Sequence, residues 1–177
     1  MGLVLLAVAV LFGASAQRLT GMGFALVASP LLVLLLGPDA GVTVIQFAGI
    51  PAGMLVLLDV WRDVDWPVLP WLLLPALVGL APGVALVRTL PEAVLQIVIG
   101  LLVIIALAAT LVSERARVFK GRKGAASAGL LSGFMNAAAG VGGPAMVLYR
   151  VSVNWPQRPF VATLQVYFIA LSTATIA

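Results

Sequence analysis

The chain has 177 residues, of which 63% are hydrophobic and only 9% charged, with a formal net charge of +4 and a mean hydropathy of +1.19. A soluble domain carries about 25% charged residues, so this composition excludes a water-soluble globule and identifies an integral membrane protein. Cysteine and histidine are absent, which excludes disulfides, thiolate metal sites and the usual proton shuttle at neutral pH; no metal and no cofactor is expected.

The chain opens on an apolar stretch, 2–16, with no basic residues before it and further apolar sequence soon after it. That reads as a retained segment rather than a signal peptide. Gln17, Arg18 and Thr20 interrupt it, followed by Gly21-Met22-Gly23 and a second arm at 24–36. Each arm is shorter than the ~20 residues that span a bilayer, so 2–36 reads as a glycine-broken helical hairpin. Its tip lies at membrane depth, where irregular backbone survives only inside protein or a water-filled cavity. A span at 40–60 then leads into a charged loop, with Trp61, Trp66 and Trp71 as an interfacial belt. Spans at 67–88 and 93–112 follow, joined by Leu90-Pro91-Glu92, and the first carries Pro70, Pro75 and Pro82. The loop at 113–123 sets Arg115, Arg117, Lys120, Arg122 and Lys123 against Glu114 alone. It is the cytoplasmic loop by the positive-inside rule, and it separates a first unit, 1–118, from a second, 119–177. The pI near 10.4 therefore reports topology and not nucleic-acid binding, because the cations lie mostly in loops.

The second unit begins with AASAGLLSGFMNAAAG, rich in small residues that favour close helix packing. Gly140-Val141-Gly142-Gly143-Pro144 breaks it, which gives a second hairpin at 124–149. A polar loop with Arg150, Asn154, Trp155 and Arg158 precedes a last span at 159–177. One offset of 119 residues carries Gln17 onto Asn136, Gly21 onto Gly140, Gly23 onto Gly142 and Gln46 onto Gln165. A glycine-interrupted pair of apolar segments at matching positions points to a duplicated transporter with its site at the break. The expected fold is thus an all-α integral membrane protein of two duplicated units, each a glycine-broken hairpin plus three spans. If each hairpin enters and returns, the units are inverted; if each crosses as one broken span, they are parallel. The 37–39 loop carries no cation and its counterpart carries Arg150 and Arg158, a contrast that favours inversion. The second unit has only 58 residues (177 − 119), so about 60 more, holding two further spans, are expected beyond Ala177; the alternative is a shorter protein completed by dimerising.

GFMNAAAGVGGPAMVLY, followed by Asn154-Trp155-Pro156 and Arg158, resembles the second-half signature of the TauE/SafE sulfite-exporter family of membrane anion transporters. LTGMGFALVASPLL, Val64-Asp65-Trp66 and Leu90-Pro91-Glu92 resemble its first half, and the resemblance covers essentially the whole chain. The first motif departs from it, reading Gly21-Met22-Gly23-Phe24 where the family is richer in glycine. The resemblance implies transport of sulfur-containing anions such as sulfite, thiosulfate or organosulfonates, with export the expected direction and the cell inner (plasma) membrane the location.

The residues themselves support an anion site without naming the anion. Helix N-termini after both G-x-G turns offer unpaired N–H groups and positive dipole ends. Candidate substrate-binding residues are Gln17, Gly21, Gly23, Gln46, Asn136, Gly140, Gly142 and Gln165, with Arg18, Thr20, Ser132 and Tyr149 as further candidates. The glutamines also fit a second role, bonding helix to helix. Arg18 has two as well, since its long stem can instead reach the interface. All six acids fall at span ends or in loops, so no mid-span carboxylate is available for a proton relay. No nucleophile, metal motif or acid–base constellation marks an enzyme, and no catalytic residue is assigned. The expected partners are the lipid bilayer and a small anion, with oligomeric state open. A carrier of another small ion or metabolite, or a membrane subunit without transport activity, remains the alternative.

Overall fold

The computed structural model describes residues 32–33, 35–91, 93–95, 97–98, 100–101, 104, 108 and 120–176; Gln17, Arg18, Thr20, Gly21 and Gly23 lie outside them. All regular structure among the described residues is helical. Helix α1 is Pro38–Val60, closed by a 3₁₀ turn at Trp61–Asp63. Helix α2 is Leu69–Thr89, α3 is Gly121–Ala139, α4 is Gly143–Val153 and α5 is Gln157–Ile176. Three helical segments, Ala40–Asp63, Leu69–Thr89 and Gln157–Ile176, are long and apolar enough to cross a bilayer. Leu55, Leu58, Leu74 and Val78 point outward from α1 and α2, as lipid-facing side chains do. Pro51, Pro75 and Pro82 sit inside helices without ending them, because neighbouring helices in a membrane can re-satisfy the backbone groups they free. The basic loop ends sooner than its expected limit of 123. Arg122 and Lys123 belong to the first turn of α3, and the Arg122 guanidinium stacks over Trp71, 4.9 Å from the ring centroid.

The tightest seam joins α2 to α3. Each helix contributes a G-x-x-x-G pair, Gly79 and Gly83 on α2, Gly129 and Gly133 on α3. A Cβ at Gly129 would overlap the carbonyl oxygen of Leu72, one at Gly133 that of Ala76, and one at Gly79 that of Leu130. A Cβ at Gly83 would lie 2.6 Å from the oxygen of Phe134. Backbone therefore meets backbone along the whole seam, the contact that small residues allow between membrane helices. The contacts advance together along both helices, so α2 and α3 run parallel.

Helix α5 runs antiparallel to α1. Ser172 meets Gln46 near one end of the pair, and Gln165 packs on Gly53 two turns away. At the other end Arg158 Nε donates to Asp63 Oδ2 at 2.9 Å, and the Asp65 N–H donates to Thr163 Oγ1, also at 2.9 Å. Thr163 passes its own proton to the carbonyl of Pro159 at 2.7 Å. Helix α4 turns back beside α3 and ends at Asn154, which adopts the left-handed conformation. Trp155 then packs edge-on against both Tyr149 and Phe160, with centroids 5.9 and 5.6 Å away. The chain thus enters the α3–α4 hairpin beside Trp71 and leaves it beside Asp63, at one and the same end of the molecule. Between the ends, Leu72, Ala76, Met146, Phe160, Leu164, Tyr167 and Leu171 form a buried core.

Candidate functional site

Everything at the site hangs on how α3 stops. Gly140 is left-handed, with φ of 69°, and its N–H donates to the carbonyl of Asn136 at 2.8 Å. The Val141 N–H reaches back to Met135 at 3.4 Å. This is a glycine C-cap, a left-handed conformation that a residue without a Cβ adopts at least cost. Gly142 has an ordinary backbone conformation, φ −88°, and is needed for a different reason. A Cβ there would lie 2.6 Å from Ser132 Oγ, 2.9 Å from the Ser132 carbonyl and 3.1 Å from the Phe168 ring. Ser132 Oγ donates to the Gly142 carbonyl at 2.8 Å and ties α3 to the turn. Helix α4 then starts at Gly143, with Pro144 in its first turn, where a missing N–H costs nothing.

Three helices converge on this turn. Ser172 Oγ on α5 donates to Gln46 Oε1 at 2.6 Å, and Gln46 Nε2 on α1 donates to the carbonyl of Asn136 at 3.3 Å. Gln46, Ser132, Asn136 and Ser172 are all buried. Gln46 stands fourteen residues from Val60, about 21 Å along the axis at 1.5 Å per residue, which sets the turn deep between the two ends of α1. Asn136 Nδ2 and the Tyr167 hydroxyl are buried and find no hydrogen-bond partner among the described residues. The cluster is neutral, and the charged groups of α1 and α2 stand at their ends: Asp59 closes α1 and Arg88 lies in the last turn of α2.

The expected residues divide. Gln46, Ser132, Asn136, Gly140 and Gly142 come together at the α3–α4 turn. Gln165 is as buried as Gln46 but lies two turns along α5 from Ser172, bonded to the Val161 carbonyl at 3.2 Å with its Oε1 against Gly53. Tyr149 stands with Trp155 and Phe160 at the loop end, away from the turn. Sequence reasoning missed Ser172 and Tyr167. Ser172 was findable, since it follows Gln165 by seven residues, two helical turns on one face. Nothing in the sequence distinguished Tyr167 from a core aromatic.

Gln46 serves α1, α3 and α5 at once, so its truncation has a defined expected cost. Gln46→Ala removes two buried hydrogen bonds, each worth about 1 kcal/mol. The thermal midpoint of the purified protein is expected to fall, and an unchanged midpoint would show that the bridge contributes nothing.

The sequence model of one family, described as Sulfite exporter TauE/SafE, matches residues 5–177. No curated protein and no solved structure matches the chain.

Proposed function

The chain belongs to the sulfite exporter TauE/SafE family, a family of membrane transporters, and from that premise we propose that it exports small sulfur-containing anions through the α3–α4 turn. The observation that carries this reading is the neutral, donor-rich cluster around that turn. An anion is held there without a buried cation by Asn136 Nδ2, by the amide of Gln46 and by the N-terminal N–H groups of α4, which carry the positive end of its dipole. Sulfite, thiosulfate and organosulfonates each present several acceptor oxygens, which suits several neutral donors. Gly140 and Gly142 act through the backbone, and Gln17, Gly21 and Gly23, with Arg18 and Thr20 beside them, are the counterparts we propose in the first unit. Gln165 is the counterpart of Gln46.

An inverted duplication, units 1–118 and 119–177, is the architecture we propose around this site. Two relations support it. Displaced by 119 residues, Pro38 at the start of α1 falls on Gln157 at the start of α5. The same displacement carries Gln46 onto Gln165 and Gly53 onto Ser172, so the Gln46–Ser172 and Gly53–Gln165 contacts exchange places. Contacts that exchange between antiparallel helices are what a two-fold axis in the membrane plane produces. The loops at Asp63 and Arg158, together with loop 113–123, then face the cytoplasm, and the protein sits in the inner membrane.

The membrane potential, negative inside, drives an anion outward by ~2.3 kcal/mol per charge per 100 mV. Protein in proteoliposomes is expected to move sulfite, thiosulfate or a small organosulfonate faster than chloride, and faster still under an imposed potential. Absence of flux for all three sulfur anions would overturn the proposal and favour a carrier of another small ion or a non-transport subunit.

A further inference from the structure

We infer that Tyr167 is a substrate-contacting residue and that, with Asn136, it forms a two-donor subsite for an oxyanion at the α3–α4 turn. The inference rests on the transport reading above and adds to it a residue and a selectivity.

Among the described residues, the buried side-chain polar atoms left without a hydrogen-bond partner are Asn136 Nδ2 and Tyr167 Oη. A buried donor without a partner is costly, and native structures retain few of them without a reason. These two are 3% and 0% exposed, and both belong to the same turn. Asn136 holds the turn by its own carbonyl, which accepts the N–H of Gly140 at 2.8 Å. Ser132, one helical turn earlier on the same face of α3, bonds the Gly142 carbonyl and has the Tyr167 side chain beside it. Phe168, the next residue on α5, lies against Gly142 and against the Tyr167 ring, whose centroid is 5.0 Å away. One orphaned donor thus comes from α3 and the other from α5, with the start of α4 between the segments that carry them.

An N–H and an O–H arriving from two helices ask for a ligand with at least two acceptor oxygens. A sulfonate or sulfite presents them on separate atoms, whereas chloride would have to take both donors at one centre. The subsite therefore suits an oxyanion, whose separate oxygens supply an acceptor to each of the two donors.

Tyr167→Phe keeps the ring and removes only the hydroxyl. Flux of methanesulfonate, sulfite and chloride is measured in proteoliposomes, with the thermal midpoint of the purified protein read beside it. The expected result is a rise of about tenfold in KM for methanesulfonate and sulfite, as for one hydrogen bond to a charged group, with maximal flux and chloride leak little changed. The ligand-free thermal midpoint is expected to change little, because the hydroxyl's polar neighbour, Ser132 Oγ, already bonds the Gly142 carbonyl. Asn136→Asp, nearly the same shape, replaces the donor by an acceptor and is expected to abolish oxyanion flux. An unchanged KM in Tyr167→Phe, or a lowered midpoint with unchanged KM, would overturn the inference while leaving wild-type transport standing. Failure of the wild type to move either oxyanion would overturn the transport reading, and this one with it.

Discussion

Gly133→Leu is expected to prevent the protein from accumulating as a folded, monodisperse species in the membrane. A Cβ at this position would fall on the carbonyl oxygen of Ala76 and within 2.7 and 2.8 Å of its C and Cα atoms. Those atoms are backbone on both sides, so no rotamer change relieves the overlap; α2 and α3 must separate. Helices in lipid gain no hydrophobic driving force from meeting, and close packing supplies much of what holds them. Separation at Gly133 also opens Gly129, Gly79 and Gly83 along the same seam. The expected loss exceeds ~3 kcal/mol, at the upper end of what overpacking costs. Yield after detergent extraction and the thermal midpoint measure it. Gly49→Ala is the control, since nothing lies within 4 Å of a Cβ there. Equal behaviour of the two variants would refute the backbone seam.

Gly142→Val is expected to reduce flux below a tenth of wild type while the protein still inserts and purifies. The new Cβ enters a space bounded by Ser132 Oγ at 2.6 Å and the Phe168 ring at 3.1 Å. Two of its three obstacles are side-chain atoms that can yield, so the cost to folding stays near the ~1–3 kcal/mol of ordinary overpacking. What is lost is the shape of the turn. The 2.8 Å bond from Ser132 to the Gly142 carbonyl cannot survive the displacement, and the start of α4 moves with it. Gly142→Ala, carrying the Cβ alone, is expected to fall between. Wild-type flux from the valine variant would remove the turn from the transport pathway.

The helices were legible from apolar length and punctuation. Pro38 and Gln157 open α1 and α5 beside the expected limits of 40 and 159, and the glycine break after α3 falls on Gly140. That helical break follows from local chemistry, since a left-handed C-cap favours glycine, or asparagine as at Asn154, whatever surrounds it. Contacts between helices were less legible. The reason for Gly142 is a steric one involving Ser132 and Phe168, ten and twenty-six residues away, and no local pattern records it. Gln46 and Gln165 look equivalent in sequence, yet one bridges α1, α3 and α5 at the turn and the other lies two turns away with its Nε2 on the Val161 carbonyl. Which partner faces a buried amide depends on the rotation of each helix about its axis, and near-uniform apolar spans such as α1 and α2 carry little periodic signal to set that rotation. The small residues of α3 announced close packing, but their pairing with Gly79 and Gly83 emerges only when α2 is laid alongside.

A seam of backbone against backbone has no rotamers to exchange. Its two helices can neither slide nor roll without collision, so α2 and α3 are packed as one block. Alternating access proceeds by rocking one such block against another, and the displacement must fall where side chains form the joint. The joint between this block and the α1–α5 pair includes the single amide bond from Gln46 to Asn136, at 3.3 Å. A change at this contact, by substitution or by a ligand beside Asn136, is therefore expected to alter how the block meets the α1–α5 pair.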